Sequence, residues 1–339
     1  MSSNPMRGFR GRENEFEDSD EHSSICHSPI DVREIIVNPV DQCNLIGRIS
    51  FMASRNLRNF YFDLLQTRFG LLLSWIFRSW NFTLFSFKQF ISKFRAIWGS
   101  REFANLTFML SDESRQYLPY YLAHLIGCSS ADAEQAIREL ENDRQLSDYY
   151  SKAVEGSSRR WSTDQAFKPG RLLLHYAIVR LTKPRFIFEA GLDKGFGAII
   201  LNRALQKNMD EGFKADYIGV EYRQDRPSFL IEAYPNRVGR IVYASWSDVF
   251  QNLAPGSVDF LFYDAVTFTE ELEKFVALSD RFSQNAITIC AWSIKPFYDI
   301  AERIERRASV FQAQAKDHWF EGNNLCVIYK PNASRLRFQ

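Results

Sequence analysis

The stretch Phe186-Ile187-Phe188-Glu189-Ala190-Gly191-Leu192-Asp193-Lys194-Gly195-Phe196-Gly197 reads as a strand entering a helix through a glycine turn. Phe186-Ile187-Phe188 is a short unbroken apolar run, as expected of a strand covered on both faces. Gly191, Gly195 and Gly197 follow in a G-x-x-x-G-x-G spacing, and residues 195–205 take up a helical pattern. Glycine is needed where backbone approaches a ligand closely or turns to positive φ, and a helix N-terminus offers free N–H groups at the same place.

Outward from this turn the alternation repeats. Residues 217–220, 240–243, 258–263, 286–290, 310–314 and 325–329 read as strands; 226–234, the acidic segment from 269, and 295–307 read as helices. Repeated βα units predict an α/β fold, a doubly wound and mainly parallel seven-stranded sheet, here with a helical region ahead of it. Its ligand crevice lies beyond the carboxyl ends of the strands, at the topological switch point.

The candidates therefore stand just after strands. Glu221 ends the second, where a carboxylate can accept protons from both ribose hydroxyls; a plain surface Glu is the alternative. Ala244-Ser245-Trp246-Ser247-Asp248 follows the third, and Ser247-Asp248 would equally serve as a helix N-cap. Asp264 ends the fourth. His318, in the late loop Lys316-Asp317-His318-Trp319-Phe320-Glu321-Gly322-Asn323-Asn324, could be a general base if that loop folds over the site, or a structural loop histidine.

Two enzyme classes carry such a glycine turn. Short-chain dehydrogenases also need a Tyr-x-x-x-Lys pair, and none follows Gly197. The other class has an acidic residue two positions before the first glycine, as Glu189 is here. The stretch resembles motif I of class I S-adenosylmethionine-dependent methyltransferases, in the E-x-G-x-x-x-G variant of small-molecule O-methyltransferases. The resemblance covers about residues 170–330 and implies a Rossmann-like methyltransferase fold with S-adenosyl-L-methionine as cofactor. It implies Glu189, Gly191, Gly195 and Gly197 around the methionine part, Glu221 on the ribose, and Ser245, Trp246 and Asp248 near the adenine.

Val258-Asp259-Phe260-Leu261-Phe262-Tyr263-Asp264-Ala265 resembles motif IV, which implies that Asp264 faces the transferable methyl group and the acceptor. The His318 loop is similar to a His-Trp-Tyr-x-Gly stretch of a bacterial methyltransferase group, which makes His318 the second catalytic candidate. The metal-dependent version would need an Asp-Asn pair where Cys290-Ala291-Trp292-Ser293 stands, so no metal is expected. Val266-Thr267-Phe268 occupies the place where many relatives carry a histidine. The function implied is O-methylation of a small-molecule, sugar or glycolipid/polysaccharide hydroxyl; the alternative is a methyltransferase-fold scaffold without activity.

The whole chain sets the limits. Its 339 residues are 45% apolar and 24% charged, which excludes wholesale disorder and low-complexity classes. A net charge of +1 lacks the basic excess of a general nucleic-acid binder. Five scattered cysteines without a CxxC pair read as reduced thiols of a cytoplasmic protein. Neither Cys26-His27 nor any other spacing meets the four convergent ligands that zinc requires.

Residues 1–45 are polar and read as a disordered tail without a secretory h-region. Residues 46–100 form a basic, aromatic, amphipathic segment in which Thr67, Ser74, Asn81, Lys88 and Arg95 recur every seventh residue, with Arg78 and Ser92 on the same face. Between Asp63 and Glu102 there is no acidic residue, and Arg78 and Lys88 interrupt any run long enough to span a bilayer. Such a helix either lies on an anionic membrane surface, at the inner face, through residues 60–98, or packs against the body or a partner subunit. Residues 101–168 read as a helical cap, with Ser111-Asp112-Glu113-Ser114 as an N-cap region, Ser129-Ser130 as a new cap and one helix over about 131–153. That helix holds Asp132, Glu134, Glu139, Glu141 and Asp143, which would repel DNA phosphates. Residues 169–333 are the methyltransferase-like domain, where His175 reads as a packing residue on an apolar helix.

Overall fold

The computed structural model describes residues 67–102, 107–265, 269–291 and 294–330. The polar tail 1–45, residues 46–66, Val266-Thr267-Phe268 and Trp292-Ser293 lie outside the described residues. The chain divides into two compact units, Met1–Trp80 and Asn81–Gln339. Of the described part of the first, residues 67–80, all but Thr67 are helical and belong to α1 (Arg68–Gly99). Every other described element belongs to the second unit.

That unit begins with β1 (Met109–Leu110), α2 (Asp112–Ile126), α3 (Ser130–Glu141) and α4 (Arg144–Gly156). Ser111 Oγ accepts the Ser114 N–H, left-handed Gly127 ends α2, and Ser129 caps α3. The single helix expected over 131–153 is two. Asp143 Oδ1 accepts the Leu146 N–H at 2.9 Å and opens α4, while its other oxygen takes Arg203 Nε at 2.5 Å. The acidic surface of α3 is spent on internal pairs: Arg115 bridges Glu134 and Glu141, and Arg180 binds Glu139.

α5 (Leu172–Thr182) is buried along most of its length. Its His175 ring sits edge-on to Phe262 with centroids 4.3 Å apart, and Nδ1 is 3.2 Å from the Arg171 carbonyl. Burial pushes its pKa down to about 3, so it packs as a neutral ring.

The alternation follows: β2 (Phe186–Ala190), α6 (Phe196–Asp210), β3 (Asp216–Glu221), α7 (Phe229–Glu232), β4 (Arg240–Tyr243), α8 (Trp246–Phe250) and β5 (Val258–Tyr263). Then come α9 (Thr269–Ala277), β6 (Phe282–Ala291), α10 (Ile294–Arg303), β7 (Arg307–Lys316) and β8 (Gly322–Tyr329). One sheet results, in the order β1-β7-β8-β6-β5-β2-β3-β4. β4, β3, β2, β5 and β6 run parallel, while β8 is antiparallel to both β6 and β7. The expected doubly wound, mainly parallel sheet is present, with eight strands instead of seven. The addition is β1, two residues paired antiparallel to β7. The helix expected over 226–234 shrinks to α7 because Pro227 and Pro235 flank it, and the residue before a proline is turned away from helical backbone.

Two apolar layers hold the sheet, and the period of two along each strand assigns residues to them. Ile187, Tyr217, Phe260 and Phe262 face the α5–α6 side, whereas Phe188, Ile218, Leu261 and Tyr263 pack with Trp246, Phe275 and Phe297 on the other. The chain builds β3 and β4 outward from β2, then crosses back to place β5 on the other flank of β2. That reversal opens a crevice at the carboxyl ends of β2 and β5.

Candidate functional site

A cavity of about 560 Å³ occupies this crevice, within the usual range for a small-molecule site. The turn after β2 forms its floor. Gly191 takes φ 91, and its N–H donates to the Val220 carbonyl at 2.9 Å. A Cβ there would stand 2.6 Å from the Asp264 carbonyl oxygen, so only glycine lets the two strand ends meet. A Cβ on Gly197 would stand 2.6 Å from Glu189 Oε1 and 2.8 Å from the Phe262 ring. The first turn of α6 is bare there because the Glu189 carboxyl lies against it.

Glu189 is buried and accepts the Tyr217 hydroxyl proton on Oε2 at 2.5 Å. Burial raises its pKa to about 8; the Tyr217 hydrogen bond opposes this, and the Asp264 charge adds to it. The carboxyl is thus mostly protonated at neutral pH, a polar wall without a full charge.

Glu221 is 2% exposed at the end of β3. Its Oε2 accepts the N–H groups of Leu192 (3.1 Å) and Asp193 (2.8 Å), and its Oε1 accepts the Arg223 N–H (3.1 Å). This carboxylate faces the glycine turn and fixes it. Asp193 bridges Arg159 (2.7 Å) and Arg223 (3.1 Å). Burial alone would raise the Asp193 carboxyl, but the Arg159 hydrogen bond and the charges of Arg159, Lys194 and Arg223 hold it below the usual range.

At the β5 end Asp264 donates its N–H to the Ala190 carbonyl (2.8 Å), and its Oδ2 takes Arg171 Nη2 at 2.8 Å. Across the cavity a second buried pair joins Lys194 Nζ to Glu102 Oε1 at 3.1 Å. Lys194 also donates to the Ser162 carbonyl.

Of the residues singled out in the sequence, Glu189, Gly191, Gly197, Glu221, Ser245, Trp246 and Asp264 line this one cavity. Gly195 does not. It takes φ 87 at the N-cap of α6 and packs its backbone on Ile231. Trp246 reaches the wall from a ring cluster with Phe250, Tyr263 and Phe275, and its indole N–H donates to Glu271 Oε2 at 2.5 Å. Asp248 is exposed in the first turn of α8 and does not line the cavity. The N-cap position of α8 is Ser245, with no side-chain capping bond, so Ser247-Asp248 is not the cap. His318 lines a different pocket, with no lining residue shared, because the loop between β7 and β8 folds toward α1 instead of over β5. Among the described residues no three His, Cys, Asp or Glu side chains gather as metal ligands.

No protein-family model matches the chain, and no curated protein does. Solved structures do. One is the O-methyltransferase TomG from Streptomyces achromogenes in complex with SAM, at 18% identity over 66% of this chain and all of that one, TM-score 0.40. Another is an O-methyltransferase from Bacillus cereus in complex with SAH, at 14% identity over 64% of this chain and 99% of that one, TM-score 0.38. A SAM-dependent methyltransferase from Archaeoglobus fulgidus shows 12% identity over 46% of this chain and 91% of that one, TM-score 0.34. The fold itself is established by the chain's own strand order.

Sequence reasoning passed over Arg171, Lys194, Glu102 and Tyr150, all of which line the cavity. Arg171 and Asp264 are 93 positions apart, Glu102 and Lys194 are 92 apart, and no local spacing marks such pairs.

Proposed function

We propose that this cavity binds S-adenosylmethionine and that the chain transfers the methyl group to a hydroxyl of a small-molecule, sugar or glycolipid/polysaccharide acceptor. The observation that carries the reading is the convergence of Glu221 and the Gly191 turn on one cavity, with the carboxylate clamped to the turn's own N–H groups. The cradle fits the cofactor. Gly191 and Gly197 both line the cavity, and a Cβ at either would stand 2.6 Å from the Asp264 carbonyl oxygen or the Glu189 carboxyl, so these two stretches of the wall stay free of side chains. Glu189 and Gly197 would border the methionine part, Glu221 would hold the ribose, and Ser245 with Trp246 would border the adenine; Gly195 shapes the turn from below. When bound, the cofactor supplies an electrophilic methyl group on a sulfonium centre.

This chain's residues do the rest by position. Glu221 keeps the turn in one conformation before any ligand arrives. Glu189, mostly neutral, lines the wall at little electrostatic cost. Asp264, oriented by Arg171, is placed to hold the acceptor hydroxyl and take its proton, and positioning accounts for most of the rate gain such a site offers. His318 has no part in this cavity. We take residues 169–333 as the transferase domain and 101–168 as its cap, since Glu102, Thr107, Tyr150 and Thr163 close one side of the cavity.

A second reading, a cofactor-binding scaffold without turnover, is favoured by the Arg171 ion pair, which already occupies an oxygen of Asp264. Isothermal titration of the full chain with S-adenosylmethionine and S-adenosylhomocysteine tests the pocket. Binding lost in Gly191→Arg supports it, and no binding by the unaltered chain rejects both readings. Methyl transfer from radiolabelled cofactor to extracted glycolipids, saccharides or small molecules separates enzyme from scaffold.

A further inference from the structure

The pocket that holds His318 has a volume of about 600 Å³ and carries chemistry the methyl-transfer reading does not use. α1 lines it with Lys88, Ile91, Ser92, Arg95, Ala96 and Gly99, a spacing that places all of them on one helix face. Lys168, Asp317 and His318 close the opposite side. Ser92 Oγ donates to Asp317 Oδ1 at 2.6 Å, tying helix to loop. Nδ1 of His318 accepts the Phe320 N–H at 3.1 Å, so the neutral ring carries its proton on Nε2. That nitrogen is buried and has no hydrogen-bond partner among the described residues, and His318 is only 6% exposed. Burial, reinforced by the Lys168 charge, lowers its pKa and keeps the ring neutral.

Lys88 and Arg95 have no ion-pair partner among the described residues, whereas Lys168 pairs with Asp164 at 3.5 Å. Three cations against the carboxylates of Asp317 and Asp164 leave one positive charge around the pocket. A singly charged phosphodiester balances it; a dianion would meet Asp317.

The far face of the helix says where such a phosphodiester comes from. A helix on a protein body normally buries its apolar stripe and shows its polar one to water. α1 departs from this: its Lys88–Ser92–Arg95 face lines the pocket, with Lys88 and Arg95 still exposed, and Phe82, Phe85, Phe90, Phe94, Ile97 and Trp98 are exposed as well, Trp98 at 78%. An exposed apolar surface of this kind marks an interaction site. The helix has no acidic residue, and among the described residues no helix is long and apolar enough to cross a membrane.

We propose that residues 81–99 lie in the interface of an anionic phospholipid bilayer, aromatic face among the acyl chains, with a lipid phosphate held in this pocket by Lys88, Arg95 and the Nε2–H of His318. An interfacial helix sits at the depth of the headgroups, so its polar face and the phosphates meet at one level. The proposal is independent of the methyl-transfer reading.

The test is flotation of the full chain with vesicles of phosphatidylcholine alone and of phosphatidylcholine mixed with phosphatidylglycerol. The expected result is capture by the mixed vesicles only. At about fivefold per basic residue near an anionic surface, Lys88→Gln with Arg95→Gln loses about thirtyfold in affinity. Phe90→Ser with Phe94→Ser abolishes capture, and His318→Leu weakens it. The four α1 positions are exposed or half-buried, so those variants keep the thermal midpoint of the parent even if His318→Leu does not. Equal capture by neutral vesicles, or indifference to the Lys88/Arg95 pair, overturns the proposal. So does a dimer in solution that Phe90→Ser with Phe94→Ser dissociates without any vesicle binding, because a second copy then covers the face. Tight uptake of inorganic phosphate by a chain that ignores vesicles overturns it too, since the site then serves a soluble anion.

Discussion

Arg171 Nη2 lies 2.8 Å from Asp264 Oδ2 at the mouth of β5, and the guanidinium that makes this contact is almost wholly buried, at 4% side-chain exposure. Asp264 is the residue the transfer reading places at the acceptor, so its orientation depends on a helix start far away in sequence. Removing one partner of a buried pair strands the other charge at a cost of about 3 kcal/mol or more. Arg171→Met should lower stability by that order in urea unfolding. Arg171→Lys keeps the charge without the planar fork and should recover part of it. An Arg171→Met chain as stable as the parent would show that the pair contributes nothing.

Glu189 makes stability depend on pH. Its pKa in the fold, about 8, lies above the ordinary value of 4.5, so the advantage of burying the neutral carboxyl is complete below about 4.5 and lost as the pH climbs through about 8. Glu189→Gln cannot ionise. The variant should therefore gain on the parent in thermal midpoint as pH rises from 5 to about 8.5. A difference that stays flat or narrows over that range contradicts the assignment.

The Gly191 backbone is held at φ 91 against the Asp264 carbonyl. Gly191→Ala should cost about 1–3 kcal/mol of strain and remove S-adenosylhomocysteine binding in calorimetry. Gly197→Ala has ordinary φ, and its effect comes through displaced side chains, the Glu189 carboxyl and the Phe262 ring, so it should weaken binding with a smaller loss of stability. The reverse order of the two would mean that the turn does not shape the pocket.

Glu221→Ala leaves the Leu192 and Asp193 N–H groups without their acceptor, at about 1–3 kcal/mol for each that stays unsatisfied. Cofactor affinity should fall at least tenfold, as seen by titration. Glu221→Gln retains one acceptor oxygen and should lie between. An affinity untouched by Glu221→Ala would remove this residue from the site.

Much of this was legible because strand burial writes a local signal. The runs at 186–188, 217–220 and, Asp259 apart, 258–263 are apolar on both faces and lie where β2, β3 and β5 form, and each candidate that follows such a strand end directly, at Glu189–Gly191, Glu221 and Asp264, reaches the crevice. The misses have a different physics. α3 ends with Asn142 as its C-cap and Asp143 opens α4 through a single capping bond, and periodicity does not register a break of that size. Asp248 and His318 lie on a helix surface and in a loop, where residue type says nothing about direction. Arg171 and the Glu102–Lys194 pair depend on contacts between distant segments, so only the folded chain reveals them.

β1 is two residues long, yet it lies against the outer flank of β7, reached from some 200 positions away in the chain. A strand left bare at a sheet margin is a template for another chain. A truncated protein starting at Asp112 would keep α2 and the whole parallel sheet but uncover the Ala315–Lys316 end of that flank. It should self-associate edge to edge more readily than the longer chain, which would make those few residues a safeguard against aggregation.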